Sequence, residues 1–289
     1  MSERLFLRLD EDPTQGPESE VPPGALCVLA VDAPLREQVS HLLAYRETLA
    51  PGQEVVERVL PDGAVRIVFH LGASALGVGA APSALVVGAS AAPALVRLRG
   101  AMEGLSVTLR PGATQALFGV PAGELEGTAA PLEAFWFGEA SRLLEQLSSA
   151  ADDAVRLRAL QGALLRRLRA GASPPSALVN HAAALMRRSV GQCSVRSVAD
   201  ALGVGERRLQ QVFRAQVGLS PRTFNRLLRL QGLLRTLRRQ PARPAWAGVA
   251  ADGGYYDQAH LANEFRALCG MTPGEFMRRT ISSSSKTAA

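Results

Sequence analysis

A pattern of twelve residues occurs twice in the sequence. Residues 213–224 read FRAQVGLSPRTF, and residues 265–276, 52 positions later, read FRALCGMTPGEF. Six of the twelve positions are identical, and two more are conservative exchanges, Leu219 for Met271 and Ser220 for Thr272. Agreement at this level indicates a duplicated structural unit. The fold must therefore contain the same local structure twice.

The similarity between the two copies continues upstream of the pattern. Each copy has a Val-Ala pair, at 198–199 and 249–250, followed by a glycine, Gly203 or Gly254. A helix with Leu four residues before Phe comes next, and Gly-x-Ser/Thr-Pro ends the unit. Each unit is thus predicted to be a short helix, a glycine turn, a longer helix and an exit turn, which is the plan of a helix-turn-helix.

The longer helix of each unit is predicted to carry a polar outward face. At 100° per residue, Leu209, Val212 and Phe213 point inward in the first unit. The opposite face carries Arg207, Gln210, Gln211 and Arg214. In the second unit the outward and flanking positions are Gln258, Ala259, His260, Ala262, Asn263 and Arg266. Arg suits guanine, Gln and Asn suit adenine, and Ala can touch a thymine methyl, so double-stranded DNA is the predicted partner. The alternative is an ordinary polar helix face.

Residues 221–239 are predicted to form a helix that joins the two units. A helix of 19 residues spans roughly 28 Å at 1.5 Å per residue, close to the ~34 Å turn of B-DNA that separates successive major grooves. Arg222, Arg226 and Arg229 follow each other at helical spacing and are predicted to contact phosphates, as are Arg208 and Arg266. A merely solvated arginine stripe is the alternative for the connector.

The charge of the chain is divided unevenly. From Pro174 onward there are 17 Lys and Arg residues against 6 Asp and Glu, a net charge of +11, which leaves 15 against 20 for residues 1–173. The basic charge therefore belongs to the part that holds the duplicated units. A basic domain beside an acidic one favours a polyanionic partner for the basic part alone, and a solvated arginine-rich surface is the alternative.

The preceding part of the chain has the pattern of short strands. We expect the stretch before residue 26 to be disordered, strand-like runs at 26–31, 84–88, 94–99 and 104–110, and a hairpin over 55–71 that turns at Pro61-Asp62-Gly63. Leucines at helical spacing then predict a helical pair over 131–170, separated around 148–153. This pair either caps its own domain or forms a dimer face. A linker is predicted at 171–175.

At this point the residues 254–276, GYYDQAHLANEFRALCGMTPGEF, resemble the signature stretch of the AraC/XylS family of bacterial transcription regulators. The resemblance covers residues 176–280 and implies a double helix-turn-helix domain. It implies base contacts at the positions Arg207, Gln210, Gln211, Gln258, Ala259, His260, Ala262 and Asn263. Gly205 departs from the family pattern, which usually has a Ser cap there, and Gly248 and Gly253 weaken the helix before the second turn.

Residues 1–130 resemble more loosely the β-rich, cupin-like sensor domain of one branch of this family, chiefly through 58–72 and 109–125. The expected fold class is therefore α+β, with a small antiparallel β-barrel or cupin-like domain and a helical hairpin, followed by an all-α domain and a disordered tail at 281–289. If a small effector binds, we expect it near Arg58, Arg66 and His70. Paired surface charges are the alternative role of the two arginines, and a satisfied core or pocket histidine is the alternative for His70.

Other function classes have little support in the sequence. Residues 1–173 hold only His41 and His70, and the cysteines Cys27, Cys193 and Cys269 are scattered, so no metal site, cofactor or catalytic residue is predicted. The uncharged run 73–96 is interrupted by prolines and poor in large apolar residues, which argues against a membrane span.

The predicted function is a cytoplasmic transcription regulator, not an enzyme, that binds double-stranded DNA and responds to a signal sensed by residues 1–130. If the protein is an activator, we expect RNA polymerase to be a partner. If the helical pair forms a dimer face, we expect the protein to be a homodimer. The alternatives are a nucleoid-binding module without regulatory response and a cupin-type enzyme fused to a DNA-binding domain.

Overall fold

A computed structural model describes residues 2–6, 21–22, 24–72, 83–171, 177–239 and 244–284. Most of the predicted linker, the residues 285–289 of the predicted tail, and the residues 73–82 of the uncharged run lie outside the described residues. Within the described residues, no helix combines the length and the apolar character needed to cross a membrane.

The N-terminal domain is rich in strands, as predicted. Its strands are β1 Ser2–Phe6, β2 Leu26–Leu29, β3 Val39–Thr48, β4 Glu54–Val59, β5 Arg66–His70, β6 Ser83–Val87, β7 Ala94–Arg99, β8 Ala101–Leu109 and β9 Ala129–Pro131. They form a three-stranded sheet of order β1-β4-β7 and a six-stranded sheet of order β2-β3-β8-β5-β6-β9. The described strands form these two sheets and do not close into a barrel.

The predicted hairpin over 55–71 is wrong. β4 pairs with β1 and β7, whereas β5 pairs with β6 and β8, so the two runs belong to different sheets. Gly63 does adopt a left-handed φ of 75°, and Asp62 Oδ1 accepts a hydrogen bond of 3.0 Å from the Ala64 amide. The turn chemistry was therefore recognised correctly, but the turn carries the chain from one sheet to the other.

In the described part of the segment before residue 26, residues Ser2–Phe6 form a strand, so the expectation of disorder is wrong there. β1 pairs in parallel with β4, which places Arg4 opposite Glu57, and Leu5 is buried. Parallel pairing requires a partner that is distant in sequence, so no local turn pattern announces it. The antiparallel description of the domain is corrected at this pair of strands.

Helices pack on the N-terminal domain. They are α1 Ala113–Phe118, α2 Glu133–Trp136, α3 Glu139–Ser149 and α4 Asp153–Ala170. The helices α3 and α4 correspond to the predicted helical pair, and the chain turns between Ser149 and Asp153. Leu143, Leu147, Leu160 and Leu164 are buried in the same core as the strands, and Trp136 Nε1 donates a 2.8 Å hydrogen bond to the Leu117 carbonyl. The leucines therefore face their own domain, as the capping alternative requires.

The C-terminal domain is helical. Its helices are α5 Ala177–Arg188, α6 Val195–Ala201, α7 Glu206–Val217, α8 Pro221–Arg239, α9 Trp246–Asp252, α10 Gln258–Cys269 and α11 Pro273–Ser284. The predicted connector coincides with α8. α11 runs four residues into the stretch that was expected to be a disordered tail. The order of short helix, turn and longer helix occurs twice, in α6–α7 and in α9–α10, as the repeat predicts.

Candidate nucleic-acid interface

The first helix-turn-helix unit turns at a glycine. Gly203 has a left-handed φ of 65°. This conformation strains any residue that has a Cβ, whereas glycine adopts it freely. The Ser194 hydroxyl caps α6 by accepting from the Ser197 amide at 3.0 Å. Gly205 is the N-cap of α7 and offers no side-chain hydrogen bond, as its place in the sequence predicted. The helix α7 therefore begins without a side-chain cap.

The outer face of α7 is polar and accessible. Leu209 and Phe213 are fully buried, whereas the predicted base-contacting side chains lie on the surface. The exposed residues are Arg207, Arg208, Gln210, Gln211 and Arg214. Glu206 accepts a 3.1 Å hydrogen bond from Gln210 Nε2, which orients that amide along the helix. This face is thus built from long hydrogen-bonding side chains, as the periodicity required.

The C-terminal end of α7 meets the N-terminal domain. Arg214 donates to Glu126 at 3.0 Å, and the Gly112 amide donates to the Gln216 carbonyl at 2.9 Å. Because both side chains of the Arg214–Glu126 pair are substantially exposed, the pair contributes little stability. Another anion can therefore easily take the place of Glu126 beside Arg214. Arg214 therefore lies at the edge of the polar face, beside the other domain.

The second unit has a stronger start to its recognition helix. Asp257 caps α10, since its Oδ1 accepts a 2.7 Å hydrogen bond from the His260 amide. Gly254 turns the chain with a φ of 71°, and Gly253 ends α9 with an ordinary φ of −78°. Gly253 therefore does not lie inside a helix, so only Gly248 retains the destabilising role expected of these two residues.

The outer face of α10 is also accessible. Leu261, Phe265 and Leu268 are buried as predicted. The exposed residues are Gln258, Ala259, His260, Asn263 and Arg266, and Ala262 is half-buried. His260 Nδ1 accepts from the Tyr256 amide at 3.2 Å, which leaves the other ring nitrogen for an external partner. The two long helices thus present comparable polar surfaces.

The arginines of the connector are placed differently from the predicted stripe. Arg222 is exposed, but Arg226 donates to Glu264 of α10 at 2.6 Å. Arg229 donates to the Gly191 carbonyl at 3.4 Å and lies 5.9 Å from the centre of the Tyr255 ring. Arg226 and Arg229 therefore hold the two units onto α8. Because their side chains contact other parts of the protein, they do not form the exposed phosphate-binding stripe that we expected.

Sequence reasoning missed two residues of the helical domain, one exposed and one buried. Tyr256, which precedes the cap of α10, is 92% exposed, and no pattern marked it. Asn225 donates to the Cys193 carbonyl at 2.8 Å and so joins α8 to the turn before α6. The contact of Asn225 joins two elements that are distant in sequence, which a single helical wheel cannot show.

The three residues expected near an effector do not form one cluster. His70 and Arg66 line a cavity between the two sheets, with Arg66 paired to Asp62. Arg58 does not line that cavity. It donates to Glu3 at 2.7 Å and lies against Gly270 at the end of α10. In the described residues, no group of three or more His, Cys, Asp or Glu side chains is placed to hold a metal ion.

Comparison with known families agrees with this geometry. Residues 198–279 match the family described as a helix-turn-helix domain, HTH_18. The C-terminal domain is an AraC-type helix-turn-helix domain. Residues 29–131 match a domain of unknown function, DUF6597. No curated protein matches the chain. The AraC-type domain supports a DNA-binding transcription regulator.

Similar solved structures include two bacterial proteins. The C-terminal domain of AraT, a response regulator from Geobacillus stearothermophilus, is 21% identical and covers 37% of this chain and 88% of its own, with a TM-score of 0.34. Unsaturated fatty acid bound ToxT from Vibrio cholerae is 11% identical and covers 82% of this chain and 94% of its own, with a TM-score of 0.43. With TM-scores below 0.5, neither alignment adds to the family match.

Proposed function

We propose that this protein is a sequence-specific transcription regulator in which α7 and α10 read successive major grooves of DNA and the N-terminal domain senses a small molecule. The observation that carries the proposal is the pair of exposed polar faces mounted on one connector, α8. Their side chains are of the types that recognise base edges. We place the protein in the cytoplasm, where bacterial DNA is accessible to it.

The roles of individual residues follow from exposure. Arg207, Gln210 and Gln211 in the first unit are the proposed base contacts, and Gln258, Ala259, His260, Ala262 and Asn263 are their counterparts in the second. Arg208, Arg222 and Arg266 are exposed and are proposed to contact phosphates. Arg214 can join either group once it leaves Glu126.

Coupling between sensing and DNA binding is proposed to pass through the three-stranded sheet. Neighbouring residues of a strand point to opposite sides, so β1 and β4 each reach both the cavity and the C-terminal domain. Arg4 and Glu57 line the cavity, while Glu3 accepts hydrogen bonds from Arg58 at 2.7 Å and from Arg279 of α11 at 3.2 Å. A ligand that shifts these strands would therefore alter how the second unit is held, provided it binds the two states with different affinity.

The proposal is tested by selecting duplexes from a random library with the full chain and then titrating the best duplex at rising salt. Affinity should fall by roughly 10³–10⁵ between 50 and 200 mM salt if about six to ten phosphates are contacted. Arg207→Ala should weaken the selected duplex, whereas Arg158→Ala, which removes the same charge from the exposed surface of α4, should not.

Two outcomes of this test would contradict the proposal. Absence of any selected sequence would favour a nucleoid-binding module, since such a protein binds all duplexes alike. Binding that does not change with salt would contradict DNA recognition through these basic surfaces altogether.

A further inference from the structure

The cavity between the two sheets is large and mainly apolar. Its volume is about 270 Å³. Apolar walls come from both sheets, with Val96 and Leu98 on one side and Leu43, Val68 and Leu85 on the other. A cavity of about 150 Å³ lined by apolar side chains accommodates benzene, so this one has room for a substituted aromatic ring or a molecule of similar size.

The charged side chains in the cavity wall are already matched. The Arg4 guanidinium forms ion pairs with the carboxylates of Glu47 and Glu57, each at 2.7 Å. Two carboxylates therefore face one guanidinium. Burial raises the pKa of Glu57 because it disfavours the charged carboxylate, and the charge and hydrogen bond of Arg4 offset this only in part. The wall around Arg4 therefore holds no surplus positive charge for an anionic ligand.

The other arginines of the wall are also engaged. Arg66 is paired with Asp62, and both side chains are mostly buried. Arg46 is paired with Glu103 and lies 3.7 Å from Asp153, and because its side chain is 63% exposed, solvent also screens its charge. An anion entering the cavity would lose its hydration without gaining an unpaired cation, which is strongly unfavourable in an apolar site. The charge pattern thus disfavours a carboxylate or phosphate and favours an uncharged ligand.

His70 supplies the polar atom that lacks a partner. Its side chain is only 7% exposed, and Nε2 is buried without a hydrogen bond among the described residues. Its other ring nitrogen, Nδ1, bonds the Tyr45 hydroxyl, which itself donates to the Phe69 carbonyl at 3.1 Å. We assign the proton of the neutral ring to Nδ1, because only that tautomer lets the single hydroxyl proton serve the Phe69 carbonyl while both hydrogen bonds form.

This arrangement determines what His70 can accept. With the proton on Nδ1, Nε2 presents a lone pair and requires a donor. Burial lowers the pKa of His70 to about 4, so the ring stays neutral near pH 7 and does not become a cation that would attract an anion. A Cβ on Gly104 would overlap the Tyr45 hydroxyl and the Phe69 carbonyl oxygen, so the glycine is what permits this hydrogen-bonded group.

We propose that the cavity binds an uncharged, mainly apolar molecule whose single hydroxyl or N–H group donates a hydrogen bond to Nε2 of His70. This assignment rests on the proposed sensing role of the N-terminal domain and gives that role a ligand class. The ligand fills the apolar walls, leaves the Arg4 ion pairs intact, displaces the atoms that cover Nε2, and removes the penalty of a buried nitrogen without a partner.

The test uses three probes that differ only in their polar group, namely 4-butylphenol, 4-butylanisole and 4-butylbenzoate. Binding to the full chain is measured by calorimetry at pH 7 without DNA. The phenol should bind roughly tenfold more tightly than the anisole, which has no donor, and the benzoate should be the weakest. Equal binding of the three, preference for the benzoate, or no binding of any probe would overturn the proposal.

Two substitutions separate recognition from folding. His70→Phe should keep the apolar binding and equalise phenol and anisole. Tyr45→Phe removes the hydroxyl that fixes the proton on Nδ1, so it should reduce the preference for phenol while changing the size of the cavity little. If His70→Phe does not fold, Tyr45→Phe alone decides, because an unchanged preference in that variant contradicts the proposed hydrogen-bond arrangement.

The same preparation shows which proposal fails. Selective phenol binding by a chain that selects no DNA sequence would leave the ligand site standing and contradict the transcription regulator. Specific DNA binding by a chain that does not prefer the phenol would do the reverse.

Discussion

The two helix-turn-helix units descend from one repeated pattern but are anchored differently. The first has a core of its own, formed by residues of α5, α6, α7 and the start of α8, with Phe213 against Phe224 at its centre. The core of the second unit, with Phe265 against Phe276, is continuous with the buried cluster of the N-terminal domain through the leucines of α8. Similar sequences therefore build one unit with a separate hydrophobic core, which touches the N-terminal domain at the end of α7, and one unit whose core is shared with that domain.

The difference shows that the weaknesses seen in the sequence are compensated by packing. Gly248 lowers the intrinsic helix propensity of α9, yet the second unit gains the Asp257 cap, the Arg226–Glu264 pair and the contact of Arg279 with Glu3. Helices in proteins owe more stability to packing than to propensity. We therefore expect the second unit to be the more sensitive to changes in the N-terminal domain.

The largest expected effect comes from removing the central aromatic ring of each core. Phe213→Ala and Phe265→Ala should each cost about 3–5 kcal/mol, because both side chains are buried. In hydrogen exchange, Phe213→Ala should expose the amides of α5–α7 while β5 and β8 stay protected, whereas Phe265→Ala should lower protection in both domains. Identical exchange patterns in the two variants would show that the cores are not separate.

The next effect concerns base recognition by the two units. Arg207→Ala and Asn263→Ala should each cost about 1–3 kcal/mol in binding to the selected duplex and relax preference at one base position. The two relaxed positions should lie about one helical turn, or ~10 base pairs, apart. Changes at adjacent base pairs would mean that α7 and α10 do not read successive grooves.

A smaller effect distinguishes two arginines of the same helix. Arg222→Ala should reduce the salt dependence of DNA binding by about one phosphate contact and leave stability unchanged. Arg226→Ala should lower the melting temperature, since it leaves the half-buried Glu264 carboxylate without its partner. If Arg226→Ala alters only DNA affinity, the engagement of its side chain with α10 does not persist in solution.

The smallest effect lies in the helix caps. Asp257→Ala should destabilise the second unit by about 1 kcal/mol, whereas Gly205→Ser should stabilise the first by a few tenths of a kcal/mol. Thermal denaturation of the two variants measures both. The opposite signs follow from the presence of a side-chain cap in one unit and its absence in the other, so a shift of the same sign in both would contradict the asymmetry.

The structure of the helical domain could be predicted from local sequence signals. Glycine turns, Pro221 at a helix start and the spacing of buried leucines predicted the bounds of α8 and the inward faces of α7 and α10. The failures involve partners far apart in the chain. The parallel pairing of β1 with β4, the separation of β4 from β5 and the pairing of Arg226 with Glu264 depend on tertiary assembly, which no local pattern encodes.

The three-stranded sheet also sets an order of events during synthesis. β1 leaves the ribosome long before β7, about 90 residues later, completes its sheet. At 5–20 residues per second, β1 spends roughly 5–18 s without its full complement of neighbours. A nascent chain arrested between β4 and β7 should therefore be vulnerable to proteases and dependent on chaperones, and that vulnerability should end once β7 has emerged.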